Sequence, residues 1–314
     1  MVSSAHAISN GLATDGGLFV PKEFPAISLA EIDAMRGTPY SDRALTVLAR
    51  FLTDYSEEEL KTCVETAYSK ERFGDFPAPL HMLKKDLDVL ELWHGPTCAF
   101  KDMALQILPL FLTKAVVKTG EEKKLVILVA TSGDTGKAAM AGFADVPETE
   151  VIVFYPQEGV SDIQKLQMVT QKGDNVHAVA VEGNFDDAQT GVKKLFGDKK
   201  LAEELDEHAC AFSSANSINW GRLVPQIVYY FSAYAVNGGR IENGEPINFS
   251  VPTGNFGDIL AGFYAKLMGL PVNKFICASN SNNVLTDFIN TGVYNRKRPF
   301  HKTISPSMDI LVSS

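Results

Sequence analysis

Apolar positions in the first 78 residues recur every three or four residues, which is the spacing of one face of a helix. Turns that carry Pro or Gly separate these segments. Helices are therefore predicted at 28–35, 41–52 and 56–68. The pattern predicts a mainly helical N-terminal segment, 1–78, that contributes packing and shows no evident chemistry.

The pattern changes after residue 78, where short apolar runs alternate with amphipathic segments. Strands of this continuous apolar kind are typical of parallel sheets that helices cover on both faces. We therefore predict an α/β fold, and the chain length favours two open parallel sheets over one. The predicted strands are 89–92, 125–130, 151–155, 176–181, 209–212, 247–251 and 274–278. The predicted helices are 102–118, 135–143, 162–171, 186–196, 217–236 and 258–268.

Composition places the chain among ordinary globular proteins. It has 314 residues, 45% of them hydrophobic and 21% charged, which is enough for two domains with a core in each. The formal net charge of −9 argues against a nucleic-acid or anionic-membrane surface, because such a surface needs basic residues to meet phosphates. Any anionic ligand must be bound by a local set of donors.

Cysteine usage and the start of the chain bear on metal binding and location. The four cysteines form neither a C-x-x-C pair nor a zinc-like cluster with the six histidines, so no metal site is expected. A basic and apolar leader is absent, as is any apolar run long enough to span a bilayer. The sequence therefore predicts a soluble, cytoplasmic protein.

Lys101 is the first candidate for catalysis, because it follows a Gly-Pro turn and precedes the predicted helix 102–118. Asp102 is expected to cap that helix, whose apolar spacing only Pro109 interrupts. The positive end of the helix dipole would then disfavour the ammonium form of Lys101. A neutral lysine amine can form a Schiff base with an aldehyde cofactor. The alternative is an ordinary solvated lysine.

The segment 130–137, Ala-Thr-Ser-Gly-Asp-Thr-Gly-Lys, lies between a predicted strand and a helix. Hydroxyl groups, glycines and a helix N-terminus offer several donors to a carboxylate or phosphate. A nucleotide-binding P-loop is excluded, because only two residues separate Gly133 from Gly136 where that motif needs four. The alternative is a simple glycine-rich turn.

A second strand-to-helix segment, 252–258, reads Pro-Thr-Gly-Asn-Phe-Gly-Asp. Gly254 and Gly257 allow close approach of the backbone, and Asp258 is expected to cap the helix that follows. The dinucleotide pattern G-x-G-x-x-G does not occur, which favours one phosphate as the ligand.

A third segment, 214–222, places amides and hydroxyls ahead of a helix that carries Arg222. Arg222 could bind a phosphate or carboxylate in a bidentate manner, with Asn216 and Ser217 as further donors. The alternative is ordinary N-capping by Ser217. A poised lysine together with phosphate-binding loops indicates a ligand with both an aldehyde and a phosphate, and pyridoxal 5'-phosphate has both.

Four motifs in this order carry a resemblance to a known family: 94–102 (HGPTCAFKD), 131–136 (TSGDTG), 216–222 (NSINWGR) and 251–262 (VPTGNFGDILAG). The chain resembles threonine synthase, a pyridoxal-phosphate-dependent enzyme of fold type II, which is the kind of fold found in the tryptophan synthase β subunit. The similarity extends from residue 16 to residue 310.

The resemblance implies a role for each motif. Lys101 would bind the cofactor and act as the catalytic residue, and Asp134 would approach the cofactor's phenolic oxygen, although an ionised Asp cannot donate a hydrogen bond. The implied ligands of the cofactor phosphate are Gly254, Asn255, Phe256, Gly257 and Asp258. The implied ligands of the substrate carboxylate are Thr131, Ser132, Gly133 and Thr135, and those of the substrate phosphate are Asn216, Ser217 and Arg222.

The resemblance also implies a reaction and a domain organisation. O-phospho-L-homoserine and water would give L-threonine and phosphate, in threonine biosynthesis. A large cofactor-phosphate-binding domain would comprise 79–102 and 223–314, and a smaller α/β domain 103–222. Family members usually extend beyond both ends of this chain, so the large domain is expected to be incomplete at its C-terminus and to lack the residue that faces the pyridine nitrogen.

Three alternatives to threonine synthase stay open at this point. They are a threonine-synthase-like phospho-lyase, a serine or threonine dehydratase, and a truncated, non-catalytic paralogue that acts as a binding protein. The expected partner is a small phosphorylated amino acid, with no nucleic acid and no membrane. Monomer and homodimer are both compatible with the sequence.

Overall fold

The computed structural model describes residues 1–13, 15, 17–216, 219–237, 244–295 and 297–310. Its N-terminal part is helical, as predicted. Two of its helices begin with capping boxes. The hydroxyls of Ser28 and Ser56 accept from the N–H groups of Glu31 and Glu59, and the N–H groups of the two serines donate to the carboxylates of the same glutamates. The helices are α1 (Ser4–Asn10), α2 (Leu29–Ala34), α3 (Tyr40–Leu48), α4 (Glu57–Ala67) and α5 (Lys70–Phe73).

The predicted helix 102–118 is two helices, α6 (Asp102–Leu105) and α7 (Leu108–Thr119). Pro109 has no N–H group and therefore fits best in the first turn of a helix. A new helix, α7, accordingly begins at Leu108. The predicted cap by Asp102 is wrong, since Lys101 occupies the N-cap position of α6. The buried Asp102 carboxylate instead accepts bonds of 2.8 Å from the Thr97 N–H and hydroxyl groups.

A four-stranded parallel sheet has the strand order β5-β4-β3-β6. One face, with Ile127 and Val129, packs in the main core beside α8, and the opposite face, with Leu128, packs on α10. Residues of β3 are therefore buried on both sides, which explains its continuous apolar run. The strands are β3 (Lys124–Ala130), β4 (Thr149–Pro156), β5 (Val176–Val181) and β6 (Cys210–Ser214), and the helices between them are α8 (Asp134–Phe143), α9 (Asp162–Val169), α10 (Phe185–Gly197) and α11 (Lys199–Glu207).

The second parallel sheet pairs β7 (Ile247–Pro252) with β8 (Val272–Ala278), and α13 (Gly257–Leu267) connects them. Helix α12 (Trp220–Val236) is buried along almost its whole length and packs on α13. Helix α14 (Val284–Thr291) follows β8. The prediction of two parallel sheets is thus confirmed.

The predicted strand 89–92 lies in an antiparallel hairpin whose first strand the pattern did not indicate: β1 (Leu80–Lys84) and β2 (Leu87–Leu90). Helices α1, α5, α11 and α14 were also not predicted. The domain boundaries suggested by the resemblance stay a prediction. Among the residues that the structure describes, no helix is long and apolar enough to cross a membrane.

Candidate active site

A cavity lies beside the carboxyl ends of β3 and β7, where strand-to-helix loops of parallel sheets usually bind ligands. The loop after β3, the loop after β7, the first turns of α12 and a turn near residue 308 supply its walls. The lining residues are Phe100, Lys101, Ser132, Asp134, Thr135, Arg222, Gln226, Pro252, Gly254, Asn255, Gly257, Asp258, Ser307, Met308 and Ile310.

Lys101 projects into this cavity from the start of α6, and its side chain is only 10% exposed. Burial lowers the pKa of Lys101, because the ammonium form loses its hydration. The Asp134 carboxylate opposes that shift of the pKa, and the Arg222 guanidinium adds to it. Asp134 Oδ2 lies 3.5 Å from Lys101 Nζ. The physical basis for a neutral amine is therefore burial, with little help from a helix as short as α6.

Two side chains that the sequence did not indicate fix the Asp134 carboxylate. Gln164 Nε2 donates a 2.7 Å bond to Oδ1, and the Ser307 hydroxyl donates to Oδ2. Gln164 itself is buried and belongs to the capping box of α9 with Ser161. The oxygen that faces Lys101 is thus also the one that Ser307 binds.

The other residues of the first loop divide into lining and supporting positions. Ser132 and Thr135 line the cavity, whereas Thr131 and Gly133 do not. The buried Thr131 hydroxyl accepts bonds of 2.9 Å from the N–H groups of Gly133 and Gly136, and so it closes the loop on itself. Gly133 has φ +141°. Thr131 and Gly133 therefore shape the loop from behind the residues that could touch a ligand.

In the second loop, Gly254, Asn255, Gly257 and Asp258 line the cavity, and Phe256 does not. The predicted capping of α13 by Asp258 is wrong, since Phe256 is the N-cap and makes no side-chain capping bond. The first N–H groups of this helix therefore lack a side-chain cap, which suits an anion.

The Asp258 side chain is turned to two tyrosines. Its Oδ1 accepts bonds of 2.5 Å from the Tyr229 hydroxyl and 2.7 Å from the Tyr230 hydroxyl. Burial raises the pKa of Asp258, and the two tyrosine bonds oppose this effect. Because a carboxylate repels a phosphate, only the backbone N–H of Asp258 fits the role of a phosphate ligand.

Arg222 is 6% exposed, and its NH1 donates a 2.9 Å bond to the Ala215 carbonyl. Burial lowers its pKa to about 10, so the guanidinium is charged at neutral pH. Asn216 does not line the cavity, although its buried Oδ1 has no hydrogen-bond partner among the described residues. Ser217 lies outside the described residues.

The N-cap of α12 is Asn219. Asn219 Oδ1 accepts from the Gly221 N–H at 2.8 Å, while Nδ2 donates at 3.0 Å to the carbonyls of Ser214 and Ile8. The first turn of α12, which carries Arg222, is thereby attached to α1. The Ser213 hydroxyl adds a 3.0 Å bond to the Ser9 carbonyl.

Gln164, Gln226, Ser307 and Met308 are site residues that the sequence reasoning missed. The segment 305–310 was part of the family resemblance, and that was the one signal available for Ser307 and Met308. Gln164 and Gln226 lie inside helices at positions that periodicity assigns to packing.

Two family models match the chain, one in its N-terminal part and one in the rest. Residues 1–68 match "Threonine synthase N terminus", and residues 78–313 match "Pyridoxal-phosphate dependent enzyme". A human protein named threonine synthase-like 1 is 46% identical over 322 residues, covering 99% of this chain and 43% of that protein. The threonine synthase of Pseudomonas aeruginosa is 44% identical over 308 residues, covering 97% of this chain and 62% of that protein.

Among solved structures, a PLP-bound threonine synthase from Brucella melitensis superposes with a TM-score of 0.88 at 40% identity. The match covers 99% of this chain and 65% of that one. The chain thus spans between about two fifths and two thirds of the length of these three relatives. The family models, the identities and the fold agree, and the chain belongs to the threonine synthase family of pyridoxal-phosphate-dependent enzymes.

Proposed function

We propose that this chain is a pyridoxal-phosphate-dependent threonine synthase, which converts O-phospho-L-homoserine and water to L-threonine and phosphate. One observation carries the proposal. A buried lysine with a lowered pKa shares a cavity with two separate anion-binding features, the glycine loop after β7 and the Arg222 guanidinium. A cofactor phosphate and a substrate phosphate need two such features.

The residues present fit the cofactor. Gly254 is in close contact with the turn near residue 308, since a Cβ on it would lie 2.8 Å from Ile310 Cδ1 and 3.2 Å from the Ser307 carbonyl oxygen. This glycine leaves room for backbone N–H groups of the loop and of α13 to approach a phosphate. Lys101 would hold the aldehyde carbon. When bound, the cofactor supplies an electron sink for the negative charge that forms on the substrate.

We assign substrate binding to the residues around Arg222. Its charge would meet the substrate phosphate and stabilise the charge that builds up as phosphate leaves. Ser132 and Thr135, in the first loop, would bind the substrate carboxylate, and the Thr135 hydroxyl lies beside Arg222, whose NH2 group donates to it at 3.5 Å. The proposed contacts of Asn216 and Ser217 with the substrate phosphate stay predictions of the resemblance.

Lys101 would also move protons. Its neutral amine can take the proton from the substrate α-carbon, and the resulting ammonium can return a proton at the next stage. Asp134 lies where it can stabilise that ammonium at 3.5 Å. Lys101 therefore combines the roles of cofactor ligand and general acid–base.

A second candidate function is that of a phospho-lyase that releases phosphate without forming threonine. The 46% identity with a protein named threonine synthase-like 1 favours keeping this candidate. Arg222 would serve either activity. A serine or threonine dehydratase is less well supported, because its substrate carries no phosphate for this buried guanidinium.

Product analysis tests the proposal. Purified chain supplied with pyridoxal phosphate and O-phospho-L-homoserine is expected to release phosphate and threonine in equal amounts, and Lys101→Ala is expected to release neither. Phosphate with a keto acid and ammonia indicates the phospho-lyase. A chain that gains no Lys101-dependent visible absorbance band from the cofactor contradicts the enzyme function altogether. The cytoplasmic location and the oligomeric state stay predictions.

A further inference from the structure

The two oxygens of the Asp134 carboxylate have different neighbours. Oδ1 accepts from Gln164 at 2.7 Å. Oδ2 faces Lys101 Nζ at 3.5 Å and also accepts from the Ser307 hydroxyl. Lys101 and Ser307 therefore share one oxygen, while Gln164 independently holds the carboxylate in its orientation.

Sharing that oxygen has an electrostatic consequence. A hydrogen bond donated to a carboxylate offsets part of its negative charge, and so the carboxylate attracts a neighbouring ammonium less strongly. The charged groups that act on Lys101 are Asp134 and Asp258, which raise its pKa, and Arg222, which lowers it together with burial. Among these groups, Asp134 does most to raise the pKa of Lys101, and the bond from Ser307 weakens that effect.

Ser307 is held in place by a neighbouring buried residue. It lies in the single turn Pro306–Met308, and Asp309 after that turn is 6% exposed. The Asp309 carboxylate accepts bonds from Asn280 Nδ2 (2.8 Å), Asn282 Nδ2 (3.0 Å), the Thr303 hydroxyl (2.8 Å) and the Thr303 N–H (2.7 Å). These bonds connect the turn to the chain that leaves β8.

We propose that Ser307 is a positioning residue for Lys101. Asp309 fixes the turn that carries Ser307, and the Ser307 hydroxyl donates a hydrogen bond to Asp134 and thereby keeps more of the lysine in the neutral form. The inference rests on the proposed function, because a neutral Lys101 matters only if it reacts with an aldehyde. It concerns residues on two segments far apart in the chain, whose contact the fold alone creates.

The test measures the charge state of Lys101 without the cofactor. Trace labelling with acetic anhydride across a pH series, read at the Lys101 peptide by mass spectrometry, reports the fraction of neutral amine. The variants are Ser307→Ala, which removes the donor, and Ser307→Thr, which keeps it. Ser305→Ala is the matched control, since Ser305 lies in the same segment and is exposed.

The labelling midpoint is expected to move upward by about half a unit to one unit in Ser307→Ala, which is about a threefold to tenfold loss of neutral amine near neutral pH. Ser307→Thr and Ser305→Ala should label like the unchanged protein. Asp309→Asn should shift the midpoint in the same direction as Ser307→Ala by a smaller amount, because it weakens the anchor and leaves the donor.

A midpoint that is unchanged or lowered in Ser307→Ala overturns the proposal for Ser307, and an unchanged midpoint in Asp309→Asn overturns the part assigned to Asp309. A separate measurement, borohydride trapping of pyridoxal phosphate on Lys101 in the unchanged protein, tests the proposed function. If trapping fails while the Ser307→Ala shift is observed, the cofactor assignment is wrong and the effect of Ser307 on Lys101 still stands.

Discussion

The loop after β3 and the loop after β7 both line one cavity, yet they are held in different ways. The main chain of the first loop is closed by its own residues, since the Thr131 hydroxyl binds two N–H groups within five positions, and only the Asp134 side chain is bound by remote residues. The second depends on remote parts of the chain, since Gly254 packs on the turn near residue 308 and Asp258 binds tyrosines of α12. A locally closed loop should lose its shape through one change within itself, whereas the second loop should respond to changes elsewhere.

The largest effect is expected from Gly133→Ala in the first loop. The φ of +141° strains any L side chain, and the new Cβ would lie 2.3 Å from the Gln164 side chain, which is buried. We expect a loss of about 3 kcal/mol or more in the free energy of unfolding, measured by urea denaturation. Gly191→Ala is the control, because nothing lies within 4 Å of its Cβ inside α10. Equal stability of the two variants would contradict the prediction.

Thr131→Val should have the next largest effect. Valine keeps the shape but leaves the N–H groups of Gly133 and Gly136 without their acceptor, which costs about 2 kcal/mol in the free energy of unfolding. Thr131→Ser keeps the hydroxyl and should be close to the unchanged protein in the same denaturation experiment. If serine costs as much as valine, then the methyl group and not the hydrogen bonds holds the loop.

In the second loop, Tyr230→Phe should destabilise the fold in a pH-dependent manner. The pKa of Asp258 is raised in the fold by burial, and loss of a tyrosine donor should raise it further, because the charged form loses a partner. The variant should therefore lose about 1.5 kcal/mol of unfolding free energy at pH values above the folded-state pKa of Asp258, where its carboxylate is ionised. The loss should shrink as the pH falls through the folded-state pKa and protonates Asp258.

Denaturation of Tyr230→Phe across a pH series, from neutral pH downward, measures this difference. Tyr264→Phe serves as a matched control, because Tyr264 is buried and packs on Phe24 and Trp220 without contacting Asp258. A loss of equal size at every pH would show that Tyr230 does not act through the Asp258 carboxylate, and would leave its 3.0 Å bond to the Asp258 carbonyl oxygen as the stabilising contact.

Gly254→Ala should have the smallest effect on stability, about 1 kcal/mol or less, because the side chain of Ile310 can shift away from the new methyl group and the Ser307 carbonyl oxygen, at 3.2 Å, needs to move only slightly. The same methyl group should reduce affinity for pyridoxal phosphate, since it narrows the approach to the loop backbone. Titration of the cofactor absorbance band measures this affinity. Unchanged affinity would place the cofactor phosphate elsewhere and would weaken the distinction between the two loops.

The two loops also differ in how much of them the sequence could predict. Periodicity located β3, β7 and the helices that follow, and glycine content then marked both loops as ligand sites. The contacts of Gln164 and Ser307 with Asp134 span 30 and 173 positions, and no local pattern encodes them. Asp258 was assigned as a helix cap because the local sequence contains nothing that competes for its carboxylate, whereas α12 brings two buried tyrosines to it.

The errors in the predicted fold also arise because a local pattern does not show how an element packs. Pro109 was recognised as an interruption of a helix, but whether the chain bends or restarts there depends on what packs against it. Helix α11 consists mostly of charged residues and has no buried residue, and it was missed. Lys101, Asp134, Arg222 and Gly254 were singled out from four separate motifs, and the structure does bring them to one cavity.

The attachment of α12 to α1 has a consequence for which sequence changes this protein can tolerate. Asn219 and Ser213 bind main-chain oxygens of residues 8 and 9, so the bonds themselves depend on the path of the backbone and not on which side chains stand there. Point substitutions in α1 would leave these bonds available, whereas an insertion or deletion of a single residue would move both oxygens away. The number of residues in α1 must therefore stay the same if Arg222 is to keep its position, although α1 itself carries no candidate for catalysis or binding.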